Sequence, residues 1–175
     1  MALLLHADKR AGDVPKVVAL LTRASDAGSA RADYALGQRY AQADGVKRDT
    51  QRAFELIRRS AIAGYLPSQY ALGYYLSHGI GTPNDDALAL QWYQRAAERG
   101  HLDALVAMGN SYANGWGAGK SMDLAYQWYC KAAKGGHAAA RTLVERSPSR
   151  SDCELPETPP RAPADNGRER GGAVP

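Results

Sequence analysis

Tyr65 to Gly100 reads YLPSQYALGYYLSHGIGTPNDDALALQWYQRAAERG, and the segments on either side repeat its pattern at one fixed spacing. Gly28, Gly64, Gly100 and Gly136 stand 36 residues apart. Leu36, Leu72 and Met108 fall in one column, each followed by a glycine (Gly37, Gly73 and Gly109), and Gly45, Gly81 and Gly117 make a third. A fixed period of this size marks a solenoid of like units, because no single unit can bury its own apolar face.

Within the central unit, Tyr70, Ala71, Leu72, Gly73 and Leu76 recur at the i, i+3, i+4 spacing of a helix stripe. This is helix A. The loop HGIGTPN follows, where Gly79 and Gly81 accept positive φ and Pro83 cannot continue a helix. Asp85 then offers its carboxylate to the open N–H groups of helix B, whose inner residues are Ala89, Trp92, Tyr93, Ala96 and Ala97. Gly100 ends that helix. A mid-helix glycine such as Gly73 costs about 1 kcal/mol relative to alanine. Its return in each unit therefore predicts a close approach, either to the Trp92 indole or to the partner helix.

These residues carry a family likeness. The pattern A-L-G-x-x-Y, then G-x-G, then D-x-x-x-A-x-x-W-Y-x-x-A-A-x-x-G resembles the Sel-one-like repeat (SLR), a longer-looped relative of the tetratricopeptide repeat. The resemblance implies an all-α, right-handed α-α superhelix of stacked antiparallel helix pairs, with helix A lining the concave surface and helix B the convex one. It is strong in the units at 65–100 and 101–136, where Trp92-Tyr93 and Trp128-Tyr129 both appear. It is degenerate at 29–64, where Leu56-Ile57 replaces Trp-Tyr, Ala43 replaces the first loop glycine and Ser60 replaces an alanine. Those three read as volume-tolerant core exchanges.

Residues 1–28 form a partial unit. DVPKVVALLTRASDAG, from Asp13, is in phase with DTQRAFELIRRSAIAG, from Asp49. The phase predicts a helix B over Val14 to Ala27, with Pro15 in its first turn, after the end of a helix A at residues 2–8. Leu3, Leu4 and Leu5 would then be partly uncovered, which points to a longer chain upstream or to self-association through this edge, the first being favoured. At the other end, 137–147 keeps the phase of helix A but puts Glu145 where glycine stands, a capping helix. Residues 148–175 turn to Ser, Pro, Arg, Asp, Glu and Gly and read as a disordered tail.

The 175 residues, 45% of them hydrophobic, suffice for one domain. Ten Tyr against one Phe suit surfaces that are half packed and half wet. No apolar run approaches the roughly 20 residues that span a bilayer, and MALLLHADKR is too short for a secretory signal. No membrane insertion is expected. The expected location is cytoplasmic, or periplasmic or secreted if the true start lies upstream. Cys130, on the outward side of helix B beside a buried Trp128-Tyr129 pair, and Cys153, in the tail, read as unpaired thiols suited to a reducing compartment. Some exported SLR proteins carry a disulfide in every unit, and a few have been linked to β-lactams; without paired cysteines that activity is not carried over.

NGWGAGKS, Asn114 to Ser121, imitates the end of a phosphate-binding loop, but such a loop follows a strand and begins with glycine. The phase predicts an inter-helix turn and an N-cap serine instead. His6, His78, His101 and His137 share no metal-type spacing. Arg23, Arg59, Arg95 and Lys131 recur every 36 residues near the end of each helix B, where cations complement the helix dipole. A ladder that meets an acidic partner or nucleic acid is the sharper reading of a chain with net charge +4, but helical RNA-binding repeats keep base-reading side chains on helix A, which argues against RNA. No nucleic acid, cofactor or metal is expected. No base paired with a nucleophile and no pair of carboxylates on one face supports turnover.

The helix A positions left over by the core pattern are Arg31, Tyr34 and Gln38, then Tyr70, Tyr74 and His78, then Asn110 and Asn114. Tyr, Asn and Gln combine flat area with donors and acceptors at low entropic cost, a surface for an extended protein or peptide. Tyr34 and Tyr70 also suit packing between units. The expectation is a non-enzymatic scaffold that holds a protein or peptide partner in its groove. An exported envelope protein that binds or modifies peptidoglycan or another glycan is the alternative.

Overall fold

The structure, a computed structural model, describes the backbone of residues 2–147 and 153–155, with side chains from residue 14 onward. Among the described residues there are eight helices and no strand: α1 (Ala2–Asp26), α2 (Ala30–Gln42), α3 (Thr50–Ile62), α4 (Leu66–His78), α5 (Asp86–Glu98), α6 (Leu102–Asn114), α7 (Met122–Lys134) and α8 (Ala138–Glu145). Helices α2, α4, α6 and α8 are helix A, and α3, α5 and α7 are helix B. Each helix packs chiefly on its neighbours in the chain, from α1 against α2 through to α7 against α8.

The local chemistry explains the regularity. Asp49, Asp85 and Ser121 cap α3, α5 and α7, their side chains accepting from the N–H groups of Arg52, Leu88 and Leu124 at 2.9, 2.9 and 3.3 Å. The N–H of each cap residue in turn donates to a helix A carbonyl, that of Tyr40, Leu76 or Tyr112, at 2.8–3.0 Å. This bond sets the register of helix B on helix A. NGWGAGKS is accordingly an inter-helix turn that ends on the N-cap Ser121.

The glycine inside helix A has a packing cause, and it is Tyr93 rather than the Trp92 indole. A Cβ on Gly73 would stand 2.6 Å from the Tyr93 ring, and one on Gly109 would strike Tyr129. The residue after the Trp leans in, and only hydrogen fits beneath it. Glu145 occupies the same column in α8, which no helix B follows among the described residues. On α5, Ala89, Trp92, Tyr93, Ala96 and Ala97 are all buried, as the spacing predicts. On α7, Trp128 and Tyr129 are only half-buried. Tyr75 is buried on α4, a position the helix A stripe passes over.

Four further differences from the sequence reading have physical causes. First, α1 is one continuous helix through Pro15, with no break between residues 8 and 14. The loop glycine columns fall there on Ala7 and Lys9, so neither position at which the other units turn holds a glycine. The side chains of Leu3, Leu4 and Leu5 lie outside the described residues. Second, Ser60 is not a bland exchange: its buried hydroxyl donates to the Ala30 carbonyl at 2.6 Å and pairs with the buried Ser68 hydroxyl. Third, Cys130 is buried and bonded to Cys153 as a disulfide, which overturns the reading of two unpaired thiols. Fourth, Cys153 is buried and Leu155 packs on the core, so this part of the stretch read as a disordered tail is folded against the array. The rest of 148–175 lies outside the described residues.

Candidate functional site

The exposed face of α2, α4 and α6 carries two neighbouring cavities that share Tyr74. One, of ≈ 560 Å³, is bordered by Tyr70, Tyr74 and His78 of α4, by Asn110 of α6 and by Trp116 of the following loop. The other, of ≈ 280 Å³, includes Tyr34 and Gln38 of α2. Six of the eight sequence-chosen residues thus border these two cavities. Arg31, exposed at the start of α2, borders neither. Asn114 also borders neither, and its side chain donates back to the Asn110 carbonyl at 2.9 Å.

Helix periodicity explains the grouping. Tyr70, Tyr74 and His78 lie on one stripe at i, i+4 and i+8, and Tyr74 and Asn110 are one unit apart. The rings are held in pairs. Tyr74 stacks on His78 with centroids 4.0 Å apart, Tyr70 stacks on His101 at 4.7 Å, and Tyr34 meets Tyr65 edge to face at 5.5 Å. Tyr34 and Tyr70 therefore pack between units and also border the cavities.

Hydrogen bonds orient the polar groups. The Tyr129 hydroxyl donates to Asn110 Oδ1 at 2.7 Å, which turns the Asn110 amide hydrogens away from that tyrosine. Asn84 Nδ2 donates to the Ser77 carbonyl at 2.6 Å. Burial pushes the Tyr93 hydroxyl up to about 12, against a smaller opposing effect from its hydrogen bond to Ser77, and burial also raises Tyr70. These phenols are neutral donors at neutral pH, and the cavity wall is largely uncharged, with Asp86 its one carboxylate. Burial lowers the pKa of His101, and its Nδ1 has no hydrogen-bond partner.

One contact has the look of catalysis. Ser77 Oγ lies 2.9 Å from His78 Nδ1, the pairing a hydroxyl nucleophile needs. The same Nδ1 lies 2.9 Å from the Tyr74 carbonyl, which can only accept, so this nitrogen carries the proton and cannot take one from Ser77. The wall is built to stack and to hydrogen-bond. Among the described residues no group of three or more His, Cys, Asp or Glu is placed to hold a metal.

Sequence reasoning missed Ser77, Asn84, Asp86, Tyr93 and Trp116 on this wall. Four of them belong to the loops or to helix B, which helix A periodicity does not reach; Ser77 alone is on helix A. Trp116 had a signal: an aromatic between two loop glycines, 53% exposed.

Three of the four cations in the basic column have partners within the chain. Arg59 is bonded to Asp33, the Arg95 guanidinium lies 4.6 Å over the Trp92 ring, and the Lys131 ammonium lies 4.1 Å over the Trp128 ring. No helix of the described residues is long and apolar enough to cross a membrane.

Comparison with known proteins is consistent with this architecture. Residues 30–65, 66–101 and 102–137 each match the family model described as Sel1 repeat. Among solved structures, a Sel1 repeat protein from Oxalobacter formigenes matches with TM-score 0.71 and 29% identity, over 79% of this chain and 58% of that one. The protective antigen c5321 of uropathogenic Escherichia coli strains, which displays an SLR fold, matches with TM-score 0.70 and 31% identity, over 73% of this chain and 27% of that one. The cysteine rich protein B of Helicobacter pylori shares the fold at TM-score 0.54 and 20% identity, over 70% and 93% of the two chains. The chain thus spans less than two thirds of the first two structures it matches. No curated protein matches.

Proposed function

The chain belongs to the Sel1 repeat family, whose members generally mediate protein–protein interactions, and we propose that it is a non-catalytic scaffold holding an extended protein or peptide segment along the concave groove of α2, α4 and α6. The observation that carries this reading is the pair of adjoining cavities sharing Tyr74. An extended segment rises about 3.3 Å per residue, so a short peptide crosses from one unit to the next and meets the same kinds of ring and amide in each. Asn110 and Gln38 supply amides to its backbone, and the tyrosines supply flat area that is already ordered by stacking, which lowers the entropic cost of binding.

The test is a peptide library displayed against the full chain, followed by affinity measurement of the selected peptides. Tyr74→Ala is expected to weaken them at least tenfold with unchanged melting, and Arg95→Ala, on helix B, to leave them alone. Peptides that survive Tyr74→Ala and Asn110→Ala but are lost on changes to helix B would end this reading.

A second reading is favoured by the Cys130–Cys153 disulfide, since such bonds persist in oxidising compartments. On it, the chain is an exported envelope protein and the same rings, with the exposed Trp116, take a glycan such as peptidoglycan. Co-sedimentation with purified peptidoglycan separates the two: retention lost on Trp116→Ala supports the glycan, and no retention rejects it.

A further inference from the structure

Helix B carries one position that faces forward, toward the next helix B. In successive units it is Thr22, Arg58, Gln94 and Cys130, each 36 residues from the last. Arg58 shows its outlook: besides the cavity it shares with Thr22 of α1, it borders a groove whose far side is Leu88 and Trp92 of α5. Arg58 and Gln94 are exposed, as residues facing such a groove are, whereas Cys130 is 8% exposed. Yet α7 is the last helix B, and nothing helical stands in front of it among the described residues.

The same question arises on α8. Val144 falls in the column of Leu36, Leu72 and Met108, which the following helix B helps to shelter in the complete units. Among the described residues no helix B follows α8, yet Val144 is 0% exposed. The described segment that follows is Cys153–Leu155. Cys153 is buried, Leu155 packs on the core cluster that contains Val144, Ala133 and Ala140, and Cys153 is bonded to Cys130.

We propose that Cys153–Leu155 is a strap standing in for the absent helix B, that it closes the C-terminal end of the array, and that thiol–disulfide exchange opens it. The exchange is a two-electron step. A thiolate of a dithiol reductant attacks one sulfur of the Cys130–Cys153 bond, and the bond's electron pair leaves on the other sulfur, which takes a proton. The second thiol of the reductant then resolves the mixed disulfide and releases the second cysteine as a thiol. The reductant ends as a disulfide. With the bond intact, the strap is held beside α7 and α8 at high effective concentration. With the bond broken, three residues have too little apolar surface to stay docked, so Val144 and Cys130 are uncovered. The end of the array is then closed in an oxidising compartment and open in a reducing one, whichever ligand the helix A face takes.

Hydrogen exchange read by mass spectrometry on the full chain, with and without dithiothreitol, tests this without any substitution. Reduction is expected to speed exchange in α8 (Ala138–Glu145) at least tenfold and to leave α4 and α5 unchanged. Cys153→Ser should reproduce the fast exchange without reductant. Leu155→Asp, with the disulfide intact, should give an intermediate rise, because the strap and not the bond alone does the covering. Iodoacetamide should label Cys130 in the reduced chain. Unchanged α8 exchange on reduction and in Cys153→Ser would overturn the proposal. So would two free thiols persisting after equilibration with glutathione disulfide, or a Leu155→Asp chain that exchanges like the parent.

Discussion

Arg59 and Arg95 occupy the same position of helix B one period apart, and the molecule gives them different partners. Where α1, α2 and α3 meet, Arg59 Nε donates to Asp33 Oδ2 at 2.6 Å, Arg59 Nη2 donates to the Ser25 hydroxyl at 2.6 Å, and Ser25 itself donates to Asp33. One unit on, Asp33 is replaced by Gln69, Ser25 by Ala61 and Leu56 by Trp92. Arg95 there lies over the indole, and Gln69 is taken by Arg99 at 3.0 Å. The serines follow the same rule: the buried Ser60–Ser68 pair stands where later units have Ala96 with Ala104 and Ala132 with Ala140. Where the large aromatic is absent, hydrogen bonds tie the units together instead, so one backbone plan is held by two kinds of chemistry.

That contrast is broken most severely on its aromatic side. Trp92 is 9% exposed, and Trp92→Ala is expected to cost about 3 to 5 kcal/mol in denaturant melts; a change within about 0.5 kcal/mol would mean that the indole contributes little packing. On the polar side, Asp33→Ala should cost about 1.5 to 3 kcal/mol, the range for hydrogen bonds to charged groups. Here acid sharpens the comparison. Burial works to raise the Asp33 carboxyl, but hydrogen bonds from Arg59 and Ser25 and the Arg59 charge outweigh it and hold it below its ordinary value. The stability this confers is present above the unfolded carboxylate pKa of about 3.9 and drains away as pH falls through the lowered native value. Acid titration of stability should therefore lose part of its slope in Asp33→Ala and keep it in Trp92→Ala.

The serine pair gives a smaller effect of a distinctive kind. Ser60→Ala should cost about 1 to 2 kcal/mol, because it strands the Ser68 hydroxyl and one bond to the Ala30 carbonyl. The double change to alanine should cost less than the sum of the single changes, since it recreates the junction the later units use, and a double-mutant cycle measures the difference. Smallest of all, Arg95→Ala should cost about 0.5 to 1 kcal/mol for an exposed cation over a ring. Arg59→Ala should exceed it, because it leaves a buried carboxylate unpaired. Equal losses would mean that the two junctions do not differ as described.

How far the residues announced all this depends on what periodicity can carry. The inner face of α5, the caps Asp85 and Ser121, and the cavity residues Tyr70, Tyr74, His78 and Asn110 are all positions that recur, and spacing finds them. The ring above Gly73 was legible only as a close approach, because Trp92 and its neighbour Tyr93 differ by a single helical step and spacing cannot say which leans inward. The Cys130–Cys153 bond was hidden more deeply. It joins a repeating position to a segment with no phase at all, 23 residues later, whose composition reads as unstructured. The run of α1 through Pro15 escaped for the opposite reason, since the phase continues into a stretch whose loop-glycine columns hold Ala7 and Lys9.

The packing of each helix chiefly on its chain neighbours bears on how the molecule tolerates damage. A lesion in one hairpin has few contacts beyond its neighbours through which to spread, so the fold should fray in sections, like a zip and unlike a vault that falls when one stone is drawn. By the same reasoning a whole period is the natural unit of loss or gain: removing residues 66–101 intact would bring α3 against α6 with every cap, loop and glycine still in step.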